Sequence, residues 1–148
     1  MIASFFFVLF AIVGICILFH VPVRRIPAGA VIGAITWILY QLTLSASGSI
    51  IFSCFIGACG VGLMSEIAAR VFKDAATIFI IPGILCLVPG LGIYKTMAAM
   101  VSDNLNTALN IGAQTVFTAG AVAFGLLAMT SIIRIVLLIT KKIDSRQT

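Results

Sequence analysis

Two Pro-Gly pairs are the residues whose type and spacing most clearly point to chemistry in this chain. They are Pro82-Gly83 and Pro89-Gly90, and they recur seven residues apart within an apolar stretch, so both prolines would lie on one face of a helix. A proline has no N–H to donate, and its ring clashes with the carbonyl four residues earlier, so each pair should disturb the helical hydrogen bonds. The glycines would let a ligand or a neighbouring helix approach the backbone closely.

A broken helix of this kind predicts a place for a solute. Within a membrane, irregular backbone is tolerated only where it is buried in protein or lines a water-filled cavity, and discontinuous helices form the binding sites of many transporters. We therefore interpret residues 81–94 as the leading candidate for a solute pathway. A purely structural kink is the alternative, because proline and glycine are common in membrane helices.

Polar residues follow directly after the second pair. Tyr94 and Lys95 would place a hydroxyl and a cation at the mouth of the broken segment, where an anionic group of a solute could bind. An interfacial tyrosine and a snorkelling lysine are the alternative. Residues 94–114 read as a long polar connection, and we count Asn104 within it among the pathway residues. Polar and apolar positions mix there at helical spacing, which fits an amphipathic helix on the membrane surface or one folded into a vestibule.

A carboxylate near the end of an apolar stretch is a second place where chemistry is conceivable. Glu66 and Arg70 stand four residues apart with the acidic residue first, which is the favourable order for an ion pair on a helix. We interpret them as a structural pair. The alternative is that Glu66 carries a proton, since ionisable groups inside membranes are often functional.

Metal binding and enzymatic catalysis find no support in the pattern. The chain has one histidine, His20, and its four cysteines lie in apolar runs without a C-x-x-C pair: Cys16, Cys54, Cys59 and Cys86. Metal sites need clustered ligands at short spacing, whereas free cysteine commonly behaves as a small apolar residue. There is also no activated nucleophile or acid–base pair. We expect no enzyme activity, no metal and no cofactor.

The composition requires a membrane to solvate these residues. Of 148 residues, 62% are hydrophobic and 9% are charged, and the mean hydropathy is +1.28, well above the makeup of soluble domains. This length favours a single integral membrane domain over residues 1–148. The net charge of +5 does not indicate nucleic acid binding, because the basic residues are scattered between apolar runs.

Apolar windows long enough to span a bilayer fill most of the chain. A spanning helix needs about 20 predominantly apolar residues, and the windows are residues 2–19, 28–45, 49–67, 75–93 and 115–140. The first window is interpreted as a retained helix, because its basic pair follows the apolar run and does not precede it. We predict an all-α bundle of about five transmembrane helices, the fourth of them interrupted.

Small residues recur four positions apart within these windows, a spacing that lets helices pack closely. The pairs are Gly29 with Gly33, Ala30 with Ala34, Ala58 with Gly62 and Ala121 with Gly125. They indicate a packed bundle and name no chemistry.

Basic residues near the ends of the windows predict the orientation. If five helices alternate in direction, seven lysines and arginines fall on one side and Lys95 alone falls on the other. Basic loops tend to stay in the cytoplasm. The N-terminus should therefore lie outside and the C-terminus in the cytoplasm, in a multi-pass protein of the cell membrane.

Two motifs resemble a known family when they are taken together. They are F-H-V-P-V-R-R-I-P-A at residues 19–28 and I-P-G-x5-P-G-x3-Y at residues 81–94. Both are similar to the threonine/serine exporter family, and the chain length resembles that of its small YjjB-like subunit, which corresponds to the C-terminal half of the fused exporters. The doubled Pro-Gly departs from the usual pattern, so the resemblance does not say which pair occupies the family's usual position.

The resemblance implies export of small polar solutes, either amino acids such as threonine and serine or short dicarboxylates such as succinate. It also implies coupling to an ion gradient and a larger partner subunit of the same family, with self-association left open. The small size of the chain also favours a partner subunit, because alternating-access pathways usually lie between two repeats or halves. The alternative is a non-transporting subunit with an assembly or regulatory role in the membrane.

Overall fold

A computed structural model describes the backbone of residues 2–144 and the side chains of residues 7–136 and Ile139. This part of the chain is helical and contains no strand. Its elements are α1 (Ile2–Leu18), a 3₁₀ turn (Val23–Arg25), α2 (Ile26–Ser47), α3 (Ile50–Phe72), α4 (Thr77–Leu85), α5 (Gly90–Val101) and α6 (Leu105–Asp144).

The helices follow the predicted windows in order. In the described residues, α2, α3 and α6 are each long and apolar enough to cross a membrane, and α4 and α5 qualify together as one span bent by 50°. The described part of α1, Phe7–Leu18, is a shorter apolar helix. The predicted all-α bundle with an interrupted fourth helix is confirmed, and three to four candidate membrane spans in the described residues are roughly consistent with the predicted count of about five.

Short caps set the ends of the long helices. Gly48 closes α2 in the left-handed conformation, with φ of 66° and its N–H donating to the Leu44 carbonyl. Ser49 then accepts a hydrogen bond from the Phe52 N–H at the start of α3. Serine is a favoured N-cap, and glycine adopts positive φ without steric cost. The polar turn between α2 and α3 therefore occupies only two residues, Gly48 and Ser49.

Helix α3 lies at the centre of the bundle because small residues allow close neighbours on several sides. A Cβ atom added to Gly62 would lie 3.1 Å from the Met129 Cβ of α6, and one added to Gly83 of α4 would lie 3.0 Å from Val61. Gly33 of α2 similarly receives Ile12 of α1. The predicted small-residue positions are thus the places where helices meet.

The break in the fourth span lies at one Pro-Gly pair and not at both. Pro82 lies inside α4, which continues to Leu85, whereas Pro89 precedes the first residue of α5. Pro82 leaves one helical hydrogen bond unmade, but it does not interrupt the helix, so only the second pair breaks the span. The buried ring of Pro82 packs within 3.2 Å of the Cβ position of Gly29, and this packing offsets the single helical hydrogen bond that the proline cannot make.

Residues 94–114 are not a long polar connection, and that prediction is wrong. Helix α5 continues to Val101 and α6 begins at Leu105. The Asn104 carbonyl accepts the Ala108 N–H at 3.0 Å, and its side-chain oxygen accepts from the Thr107 hydroxyl at 3.0 Å. Polar residues at helical spacing here belong to an antiparallel helical hairpin, in which Gly112 of α6 packs against Thr96 of α5.

An ion pair ties two connections together at one end of the bundle. The Arg25 Nε donates to the Asp74 carboxylate, its Nη2 donates to the Phe72 carbonyl at 3.1 Å, and the guanidinium lies 4.6 Å from the centre of the Phe72 ring. Arg24, Arg70 and Lys73 therefore lie at this same end. Arg146 and the side chains of Lys141 and Lys142, which also entered the predicted asymmetry, lie outside the described residues.

Candidate functional site

The break between α4 and α5 opens a cavity of about 390 Å³. It lies between α2, the start of α3, α5 and the first half of α6, and its volume is within the range of small-molecule sites, about 300–1,000 Å³. The apolar part of its lining includes Ile50, Leu91 and Ile111, and its polar side chains are Tyr40, Lys95, Gln114, Thr115 and Thr118.

The cavity has a positive electrostatic character. Among the described residues that line it, Lys95 carries the only charge, and no carboxylate is present. Leu91 and Gly92 of the first turn of α5 also line it. The first N–H groups of a helix have no partner within the helix and carry a partial positive charge, and among the described residues no side chain caps this turn. The ammonium and the helix N-terminus together favour a negatively charged group.

Several hydrogen-bonding groups of the lining remain available to a ligand. The hydroxyls of Thr115 and Thr118 donate to the carbonyls four residues earlier, at 2.7 and 2.8 Å. In the part of the chain that the structure describes, the side chains of Tyr40, Gln114 and Lys95 make no hydrogen bond to the protein. The Tyr40 hydroxyl, the Gln114 amide and the Lys95 ammonium can therefore bind a ligand without losing a protein partner.

Two of the seven predicted pathway residues line this cavity, namely Pro89 and Lys95. Gly90 faces open space, with no atom within 4 Å of an added Cβ. Tyr94 is 69% exposed and lies outside the lining. Asn104 is exposed at the start of α6, where it accepts the Thr107 hydroxyl.

The other two predicted residues are buried in helix contacts. Pro82 packs against Gly29, and a Cβ on Gly83 would lie 3.3 Å from Ile32 of α2 as well as 3.0 Å from Val61 of α3. Their role in the described structure is the close approach of α4 to its neighbours.

Sequence reasoning missed the polar residues that α2 and α6 contribute to the lining: Tyr40, Gln114, Thr115 and Thr118. Tyr40, Thr115 and Thr118 lie inside predicted apolar windows, and polar residues at membrane depth are a recognised mark of function. That signal was present in the pattern. What was absent was any indication that residues so far apart in the chain face one cavity.

A smaller cavity of about 160 Å³ adjoins the first one. The two share Tyr40, Ile50, Pro89 and Thr118 in their linings. The smaller one, called the inner cavity below, lies at residues 86–89 between α4 and α5 and is also lined by Trp37, Cys54 and Cys86.

The Cys86 thiol compensates for the missing hydrogen bonds of the break. The Leu87 N–H donates to the Ile84 carbonyl at 2.9 Å, one residue nearer than in a regular α-helix. The Cys86 thiol lies 3.1 Å from the Gly83 carbonyl and donates to it. The irregular backbone is thus partly satisfied by a side chain, as membrane depth requires.

The predicted pair of Glu66 and Arg70 is wrong. Glu66 is buried on α3, and its carboxylate pairs with the guanidinium of Arg134 on α6, with 3.4 Å between Oε1 and Nε. Arg70 is exposed one turn further along α3, and the described residues show no ion pair between it and Glu66. Arg134 lies inside the fifth predicted window, residues 115–140, and the sequence analysis assigned it no partner.

Apolar helices that pack through glycines around a broken span define a polytopic helical membrane protein. The chain belongs to the threonine/serine exporter (ThrE) family, whose model matches residues 4–132. The resemblance inferred from the two sequence motifs is thereby confirmed.

One curated relative is an uncharacterized protein of Haemophilus influenzae. It is 27% identical over 122 residues, which cover 77% of this chain and 41% of that relative. The chain therefore spans less than half the length of the relative that it matches. No solved structure matches the chain.

Proposed function

We propose that the chain is one subunit of an exporter for small polar solutes and that the 390 Å³ cavity is its solute site. The solutes are amino acids of the threonine/serine type or short dicarboxylates such as succinate. The observation that carries this proposal is the pairing of one ammonium, Lys95, with a helix N-terminus in a cavity that opens at the broken span.

The lining suits the group that both solute classes share. Each carries a carboxylate, which the Lys95 ammonium and the uncapped first turn of α5 would bind. The Tyr40 hydroxyl and the Gln114 amide can then hydrogen-bond the rest of a small polar molecule. Discontinuous helices bind anionic groups of solutes at their N-termini in other transporters, and residues 86–89 with α5 provide the same arrangement here.

A larger partner subunit completes the pathway in this proposal. The described helices form a small bundle, and alternating access usually requires two halves that move against each other. Coupling to an ion gradient and a place in the cell membrane are part of the same proposal, and self-association remains open.

The proposed orientation has the N-terminus outside and the C-terminus in the cytoplasm. Arg24, Arg25, Arg70 and Lys73 lie at one end of the bundle, whereas Lys95 lies towards the other end, and basic ends tend to stay in the cytoplasm. The cavity would then open towards the outside. Reporter fusions at each terminus test this, and a cytoplasmic N-terminus would contradict it.

Solute accumulation in cells tests the function itself. Cells that lack this chain should retain more of the exported solute than the parent strain, and amino acids and dicarboxylates are measured in parallel. Restored export should require this chain together with the larger subunit. If the chain is instead an assembly or regulatory subunit, substitutions in the cavity lining will leave export unchanged while removal of the whole chain abolishes it.

A further inference from the structure

The wall between the two cavities is formed by few side chains, and Tyr40 is the bulkiest of them. Tyr40, Ile50, Pro89 and Thr118 line both spaces, one of about 390 Å³ and the other of about 160 Å³. The Tyr40 ring leans against Trp37, with 5.5 Å between the ring centres. A rotation of the Tyr40 side chain would therefore change the opening between the cavities.

One residue that lines the inner cavity has a hydrogen-bond donor without a partner in the described part of the chain. The Trp37 indole N–H is buried and has no hydrogen-bond partner within the described residues. Buried polar groups are normally paired, and leaving one unpaired destabilises the folded protein. The indole lies beside Tyr40 and lines the inner cavity, so an entering oxygen atom could become its partner once the tyrosine moves.

We propose that the inner cavity is a second chamber of the same solute path and that Tyr40 is the barrier between the chambers. The outer chamber holds the carboxylate of the solute at Lys95, and the inner chamber takes the opposite end, with the Trp37 N–H donating to a hydroxyl or carbonyl oxygen there. A space of 160 Å³ is below the size of a complete site, about 300 Å³ or more, which suits one end of a molecule. This inference rests on the proposed function of the outer cavity.

Native cysteines allow a direct test of access. Cys86 lines the inner cavity, whereas Cys59 faces α6, with its sulfur 3.5 Å from the Gly125 carbonyl. Two reporter proteins keep only Cys86 or only Cys59, the other cysteines being replaced by alanine. Each is expressed with the larger subunit and treated, in open membrane fragments, with 2-aminoethyl methanethiosulfonate, a small water-soluble cation that modifies accessible thiols.

The Cys86 reporter should be modified slowly, and Tyr40→Ala should raise the rate by about tenfold or more, because thiol reactivity follows access. Tyr40→Phe keeps the ring and should leave the rate unchanged. The Cys59 reporter should stay unmodified in all three backgrounds.

Three results would overturn the inference: no modification of Cys86 even in Tyr40→Ala, equal rates with and without the ring, or modification of Cys59 in Tyr40→Ala, which would show general loosening of the bundle.

The readout does not depend on transport. If Lys95 variants impair export while Cys86 stays inaccessible, the second chamber is wrong and the proposed function stands. If Cys86 becomes accessible as expected while Lys95 variants export normally, the assignment of the outer cavity fails and the barrier at Tyr40 stands.

Discussion

The carboxylate of Glu66 and the guanidinium of Arg134 lie 3.4 Å apart and join α3 to α6. The two side chains differ sharply in their surroundings, because that of Glu66 is 8% exposed and that of Arg134 is 71% exposed. The partners are therefore not equivalent. Removing Arg134 leaves the buried Glu66 carboxylate without a partner, whereas removing Glu66 leaves an arginine that can still reach polar surroundings.

Arg134→Leu should destabilise the protein by about 2 kcal/mol, since it leaves a buried carboxylate without its partner. Glu66→Gln should cost about 1 kcal/mol or less, because the amide can still accept a hydrogen bond from Arg134. Thermal unfolding of the purified protein in detergent measures both. Arg70→Leu is the matched control and should stay within about 0.5 kcal/mol. A larger loss for Arg70→Leu than for Arg134→Leu would restore the pairing expected from sequence spacing.

Lys95→Met should lower export per folded molecule by about tenfold or more, because it removes the only charge in the described lining of the outer cavity. Lys95→Arg should retain part of the activity, since the charge remains. Tyr94→Phe is the control, as Tyr94 is exposed and outside the lining. Export of labelled solute is normalised to the amount of protein in the membrane. Normal export by Lys95→Met would remove this residue from the site.

Gly125→Ala should destabilise the contact between α3 and α6. An added Cβ would lie 2.7 Å from the Phe55 carbonyl oxygen and 3.2 Å from the Ala58 Cβ, and overpacking of this kind costs about 1–3 kcal/mol. Gly120→Ala on the same helix meets nothing within 4 Å, so alanine should be neutral there or stabilise the helix by up to about 1 kcal/mol. Unfolding temperatures of the two variants should move apart, and equal shifts would contradict the described packing.

Pro89→Ala should reduce export while the protein still accumulates in the membrane. The substitution supplies an N–H and favours a continuous helix by about 3 kcal/mol, which would close the break that lines both cavities. Gly90→Ala is the control, because its Cβ would meet open space. Export per folded molecule separates the two. If both variants export normally, or if membrane levels fall in step with export, the break is only a structural kink.

The fold could be predicted largely from the sequence because its causes are local. A long apolar run must enter a membrane, and a helix is the way such a run satisfies its backbone there. Glycines four residues apart mark where neighbours can approach, and Gly33, Gly62 and Gly125 all proved to be contact points. One boundary was misread, at residues 94–114, because polarity was taken as a sign of a loop where it belonged to a helical hairpin.

The site depended on contacts that no spacing in the chain specifies. Sequence alone placed Pro89 and Lys95 at the break, but Tyr40 and Thr118 join them only because α2 and α6 pack on either side of it. Glu66 pairs with Arg134 and not with Arg70 for the same reason, because the pairing depends on which helices pack together. A helix fixes which residues share one of its faces. Which other helix packs on that face depends on where glycines allow a close approach. Gly62 allows α6 to pack beside Glu66, which brings Arg134 to its carboxylate.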